Sequence, residues 1–409
     1  MPRRGNFARR SVVEWGIRAL LAVGAAVAGY VSLANTLAYA LKGSPARAHV
    51  LAPNDGRVTA RLSQQLLTAE TTKVNRGKAE QAARLALKQD PTAVRAVATL
   101  GLSAQLRGDA TLARRLFAYA QALSRRELQT QLWAIEDAVG RDDVPGVLKH
   151  YDIALRTSKT APDLLFPVLA SAVSDPAIRT ALVKTLAPEP GWSESFIAYV
   201  TSHGPDPRST AALFLGLRRV GVVVPESARA PVIHALIAGG LLDEAWRYYA
   251  SARPGADRRA SRDPQFVIDT QSPSLFDWVP VNDGSVTTSI QRSEGGGVFD
   301  FAAPASVGGS LLQQMQLLPP GTYRIVGHSS GIEQETGARP YWALSCRQDG
   351  RELGRVPLPN STQAGGRFIG NFAVPANCPV QMLTLVAPPS NALAGLSGQI
   401  DRVQLAPVP

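Results

Sequence analysis

Three patterns of apolar and polar positions follow one another along the chain. Residues 19–41 (ALLAVGAAVAGYVSLANTLAYAL) contain no charged side chain. As a helix rising about 1.5 Å per residue, this run is about 34 Å long, enough to cross a hydrocarbon layer of about 30 Å. From about residue 41 to 253, apolar side chains recur at three- and four-residue intervals in Ala-rich segments broken by Pro and Gly-Asp, which predicts a series of helices. Across 258–264 the period changes. Short strand-like runs bounded by Gly, Pro, Asn and Asp follow at 266–269, 287–291, 298–301, 311–318, 323–329, 341–348, 368–374, 381–387 and 399–405. Such runs, with no helical stretch between them, predict an antiparallel β-sandwich or jelly roll. The expected fold class is multidomain α + β, divided into a basic leader (1–18), a transmembrane helix (19–41), helical repeats (42–257), a linker (258–265) and a sandwich (266–409).

The leader carries Arg3, Arg4, Arg9, Arg10 and Arg18 against the single acid Glu14. Positive charge on that flank places the N-terminus in the cytoplasm and everything after Lys42 outside it. A cleaved signal peptide is the rival reading, with small-x-small sites at Ala38-Tyr39-Ala40 and Ala46-Arg47-Ala48. The long polar leader and long apolar run favour an uncleaved anchor, and both readings export the remainder. Gly24, Ala28, Ser32 and Thr36 form a small-xxx-small stripe, which an Ala-rich sequence also produces by chance.

Within the helical region, Leu100-Gly101, Gly108, Ala113, Phe117 and Ala120 occupy the small-residue and aromatic positions of a tetratricopeptide repeat. A shift of about 34 residues brings Ala79, Ala86-Leu87 and Pro91 into phase on one side, and Val147, Tyr151 and Ala154-Leu155 on the other. Gly240, Ala245 and Tyr249 fit the same template. Residues 60–253 thus resemble a tetratricopeptide-repeat array. Departures are Val97 and Ala104 where the family has aromatics, and a Pro-broken middle (Pro162, Pro167, Pro176, Pro188, Pro190, Pro205, Pro207). The resemblance implies stacked helix pairs with a groove for a protein partner.

The C-terminal region resembles galactose-binding-like jelly rolls that serve as carbohydrate-binding modules. The likeness rests on Phe276-Asp277-Trp278, the PPGTYRI strand entry, the stretch Phe372 to Cys378, and the closing strand from Gly398 to Val403. A module of this kind after such repeats and an anchor is similar to envelope proteins of exopolysaccharide-producing proteobacteria. That likeness implies a single-pass inner-membrane protein with the bulk of the chain in the periplasm. Outside the cytoplasm, Cys346 and Cys378 are expected to pair as a disulfide, closing a loop whose loss would cost roughly 3–4 kcal/mol.

The net charge is +11, yet from Pro264 onward eight Arg face ten acids, so the basic excess lies in the preceding part. That part has no run of five Lys/Arg and few aromatics among its charges, which argues against nucleic acid. His49, His150, His203, His234 and His328 are scattered, with no metal-ligand spacing. No nucleophile elbow or phosphate loop occurs, and Gly295-Gly296-Gly297 leads into a strand. Glu333 and Glu335 lie side by side in a loop and do not flank a cleft. The expectation is a non-catalytic protein without cofactor or metal. For glycan contact the candidates are Trp278, Tyr341, Trp342, Arg347 and Asn371, since aromatic faces stack on sugar rings while polar groups orient hydroxyls. Trp278 is better explained as core than as a platform, and adjacent Tyr341 and Trp342 point to opposite faces of a strand. The expected partners are a protein in the solenoid groove, polysaccharide and the inner membrane. Alternatives are a structural envelope assembly factor that binds no sugar, or a secreted lectin-like protein released by cleavage after Ala40.

Overall fold

The structure is a computed structural model that describes residues 12–69, 73–293, 295–390 and 395–408. The arginines of the leader at positions 3, 4, 9 and 10 lie outside the described residues. Two compact units divide between Leu165 and Phe166.

The first unit opens with α1 (Val12–Ala40). It begins before the charge-free run, because Glu14 and Arg18 are themselves good helix formers. Val13–Ala40 is the one span among the described residues long and apolar enough to cross a membrane, a description that an anchor and a signal sequence both meet. Its large side chains face outward, Leu20 being 76% exposed, and only Ala34 and Ala38 are buried. Ala38 packs with Ala48 of α2 (Pro45–Leu51), Ala52, and Val58 of α3 (Gly56–Ala69). The far end of α1 is thereby seated on the first short helices.

Helix pairs follow: α3 with α4 (Lys73–Gln89), α5 (Val94–Leu106) with α6 (Ala110–Leu123), and α7 (Leu128–Val139) with α8 (Val144–Thr157). The small-residue positions work as the repeat pattern requires. A Cβ on Gly101 would sit 2.9 Å from the ring of Phe117, so only glycine lets α5 and α6 approach this closely. Phe117 is fully buried and stacks on Trp133 at 4.4 Å. The recurring acids are helix caps: Asp109 accepts from the Leu112 amide, and Asp143 from the Gly146 amide, both at 2.9 Å.

The division falls inside α9 (Ala161–Ala172), and the second unit continues with α10 (Pro176–Leu186), α11 (Ser193–His203), α12 (Pro207–Arg219), α13 (Glu226–Ala238) and α14 (Leu242–Ala252). The prolines of the degenerate middle do not abolish helix. Pro176 and Pro207 open α10 and α12, where the missing N–H costs nothing, with Asp175 and Asp206 capping in front of them.

The strands form two five-stranded antiparallel sheets. Sheet 1 has the order β1-β4-β9-β6-β7, comprising β1 (Val279–Pro280), β4 (Gly309–Gln316), β6 (Tyr341–Cys346), β7 (Glu352–Pro357) and β9 (Gln381–Ala387). Sheet 2 has the order β2-β3-β10-β5-β8, comprising β2 (Thr287–Ser293), β3 (Gly296–Ala303), β5 (Gly321–Ser330), β8 (Arg367–Val374) and β10 (Leu396–Pro407). Their inner faces share one apolar core that includes Phe299, Phe301, Ile325, Trp342, Leu344, Phe372 and Leu385.

The run expected as a strand at 266–269 is not one. Asp263 takes its amides instead, its carboxylate accepting from Val267 N at 2.8 Å and Ile268 N at 3.0 Å, while Phe266 turns into the core. Local side-chain bonding of this kind competes with sheet pairing. The short β1 and the edge strand β7, rich in charge and exposed, were absent from the expected strands because edges hide their period.

The segment expected as a linker is firmly held. Ser261 donates its amide to Leu405 O at 2.8 Å and its hydroxyl accepts from the Leu405 amide at 2.8 Å, while the Val403 amide donates to Pro264 O at 2.9 Å. Between them Arg262 is buried. Its guanidinium donates to Phe276 O (2.9 Å), Gln316 Oε1 (2.7 Å), Ala260 O (3.3 Å) and Met315 O, and lies over the rings of Trp246 and Phe276. Burial lowers this guanidinium to about 10, which leaves it protonated at neutral pH. Beside it the Tyr249 hydroxyl donates to Asp277 Oδ1 at 3.0 Å, and burial followed by the Asp277 charge raises the phenol. Helix α14 is thus fastened to one end of the sandwich.

Candidate functional site

The outward face of sheet 2 is built from rows of side chains that alternate with the core positions. In β5 the core takes Tyr323 and Ile325, leaving Arg324, Val326 and His328 to face out. In β8 the core takes Phe368, Phe372 and Val374, so Arg367, Ile369 and Asn371 face out. A bulge between Ile400 and Arg402 turns both Asp401 and Arg402 of β10 outward.

Strand register then sets these residues side by side. Arg402 pairs with His328, which pairs with Arg367, forming one row across three strands. On one side of it runs the row Asp300, Gln399 and Ser330; on the other, Gln404, Val326 and Ile369. Hydrogen bonds order the face. His328 Nδ1 lies 2.8 Å from Asp401 Oδ2, Gln399 Nε2 donates to Asp300 Oδ1 at 2.6 Å, and Arg324 Nε donates to Asn371 Oδ1 at 3.4 Å. Over the central row lies a groove of about 910 Å³, walled by Gln265 and Gly295–Gly297 at one side and by Arg367 and Ile369 at the other. Gly327 forms part of its floor, where a Cβ would meet Arg402 O at 2.3 Å. The arrangement offers charge and directed hydrogen bonds to an extended polar ligand. Among the described residues, no three His, Cys, Asp or Glu side chains gather as metal ligands.

The five sequence candidates are not brought together. Trp278 and Trp342 lie in the core, 5.7 Å apart between ring centres, and buried rings cannot stack on a sugar. Trp342 shares its inward parity with Leu344, so its neighbour Tyr341 faces out on sheet 1, half-buried with the Arg355 guanidinium 4.6 Å above its ring. Arg347 is exposed just past β6, with Nη1 3.8 Å from Met315 Sδ. Asn371 alone stands on the sheet 2 face. The residues that line the groove, His328, Arg367, Asp401 and Arg402, were missed. The available signal was the alternation Arg324-x-Val326-x-His328 and Arg367-x-Ile369-x-Asn371. Glu333 has a structural partner, accepting from the Thr362 amide at 3.1 Å.

The expected Cys346–Cys378 disulfide is present, with Cα atoms 5.6 Å apart, joining the end of β6 to the turn before β9. A disulfide suggests an oxidising compartment.

No family model matches the sequence, and no curated protein does. Among solved structures, the enzymatically active domain of bacteriophage CBA120 tailspike protein 4 is similar at 10% identity over 33% of this chain, with a TM-score of 0.24. The chain spans only 20% of that structure's length. The CBM22-1 xylan-binding domain of Paenibacillus barcinonensis Xyn10C is similar at 12% identity over 37% of this chain and 94% of its own, with a TM-score of 0.24. Pseudomonas aeruginosa pilF is similar at 16% identity over 49% of this chain and 93% of its own, with a TM-score of 0.24. Likenesses this distant carry no functional argument. The class is defined by the chain's own elements: an apolar N-terminal helix, tetratricopeptide-like helix pairs and a C-terminal antiparallel β-sandwich.

Proposed function

We propose that this protein is a non-catalytic scaffold, exported and held at the inner membrane by α1, whose sandwich binds glycan and whose helix pairs take a protein partner. The leader is cytoplasmic in this reading and the bulk of the chain periplasmic, with a role in exopolysaccharide biosynthesis or export. One observation carries the glycan part: the groove on sheet 2, lined by Asp401 held by His328, with Gln399 and Asp300 hydrogen-bonded to each other in the neighbouring row of the same face, all with acceptor capacity left for hydroxyls. Sugars are recognised by such fixed polar groups. The polar face also suits a ligand that remains partly hydrated.

The test is a glycan array probed with the detergent-solubilised full chain and with a Gln399→Ala/Asp401→Ala variant. Binding by the native chain that the variant loses supports the reading. A blank array, or binding indifferent to both substitutions, removes it.

A further inference from the structure

The geometry points to a carboxylate-bearing polysaccharide, one rich in uronic acid, as the ligand of the sheet 2 groove, with the guanidinium groups of Arg402 and Arg367 as its anchors. This rests on the glycan-binding reading above and narrows it to a ligand class.

Charge is the first argument. Arg402, His328 and Arg367 are direct cross-strand neighbours. Arg402 and Arg367 flank His328 on either side, and neither arginine has an acid opposite it in the row. Asp401 faces the same groove but is already engaged by His328 at 2.8 Å. Neither the Arg367 nor the Arg402 guanidinium makes an ion pair or hydrogen bond with another described residue. Nor does the row reflect a generally basic domain, since from Pro264 onward acids outnumber arginines by ten to eight. Two of those eight arginines line the groove.

Spacing and chemistry narrow the ligand. Neighbouring strands lie about 4.8 Å apart, so the backbones of Arg402 and Arg367, two strands apart, are separated by about 10 Å. Two anchors at that distance suit an extended polymer with repeated charges better than one small anion. A guanidinium fork matches a planar carboxylate through two parallel hydrogen bonds. The acids on the same face set an upper limit on ligand charge. Asp401 and Asp300 would repel a densely sulfated or phosphorylated chain but accept hydroxyls from a sugar bearing one carboxylate per ring. Among the described residues, the outward rows of this face carry no Phe, Tyr or Trp, so the ligand is held chiefly by charge and hydrogen bonds.

The experiment is calorimetry on the full chain in detergent with oligogalacturonate, its carboxyl-reduced neutral counterpart, and dextran sulfate. The native chain is expected to bind oligogalacturonate at least tenfold more tightly than either of the others. Arg367→Gln and Arg402→Gln are each expected to weaken that binding about tenfold or more, the scale of one lost charge-assisted bidentate contact. Both side chains are exposed, and unchanged amide-exchange protection of β5, β8 and β10 will show that the variants fold. Equal binding of the neutral oligosaccharide, or no effect of the Arg variants, overturns the inference while leaving glycan binding intact. Dextran sulfate binding as tightly as oligogalacturonate overturns it in favour of a generic polyanion. Failure of every glycan removes the parent reading as well.

Discussion

Arg262→Ala is the most informative perturbation of the fold. The native guanidinium is buried and supplies donors to Phe276 O, Met315 O, Gln316 Oε1 and Ala260 O. Truncation removes the donor from these acceptors, and it removes a cation from above the rings of Trp246 and Phe276. A hydrogen bond to a charged group contributes roughly 1.5–3 kcal/mol, but the several bonds here act as one unit and do not add. The desolvation cost of the native cation offsets part of their sum. Each buried acceptor left without its donor costs about 1–3 kcal/mol, and for the coupled set we expect a total of about 3–5 kcal/mol. The chain forms two compact units, so a global melting curve does not localise the loss. Amide hydrogen exchange on the full chain isolates the effect. Protection in β4 and in residues 261–264 should fall by roughly two to three orders of magnitude, while α5 and α6 are unaffected. Protection in β4 that stays within threefold of native would refute the claim that Arg262 fastens this end of the sandwich.

Three further outcomes follow from the same contacts. Cys346→Ser/Cys378→Ser should lower the sandwich's stability to denaturant by roughly 3–4 kcal/mol, the entropy of a loop of this size, and non-reducing peptide mass mapping should recover the native pair linked. Gly101→Val places a side chain against Phe117 and should cost about 1–3 kcal/mol, read as faster exchange confined to α5 and α6. His150 is held below its usual 6.5 by burial, with Lys149 adding to the effect. The unfolded chain therefore binds the proton more readily than the fold. Stability of the first unit should be full above pH 6.5 and fall as pH drops through that value, and His150→Gln should flatten that part of the profile.

Much of this fold was legible in the sequence because its cause is local. A charge-free run specifies α1, and glycine opposite phenylalanine specifies the approach of α5 and α6. Alternation specifies most strands, Gln381–Ala387 to the residue. What escaped depends on partners far away in the chain. Phe266 reads as strand until Asp263 takes the amides that follow it. Arg262 reads as a linker charge until Gln316 and Phe276 close around it. The groove is less legible still, since the register that sets Arg402 beside His328 and Arg367 joins three separate strands. Aromatic residues drew the site prediction toward Trp278 and Trp342, but a sequence does not say whether a tryptophan packs or stacks. Of the five candidates, only Asn371 stands on the outward face of sheet 2.

Glycan binding at the outward face of sheet 2 leaves a local signature. Hydroxyl-radical footprinting of the full chain, with and without a glycan found to bind it, tests this directly. His328, Ile369 and Arg402 should be protected on binding while Tyr341 and Arg355 on sheet 1 react unchanged. Protection centred on Tyr341 and Arg355, with the groove residues still fully reactive, would contradict it.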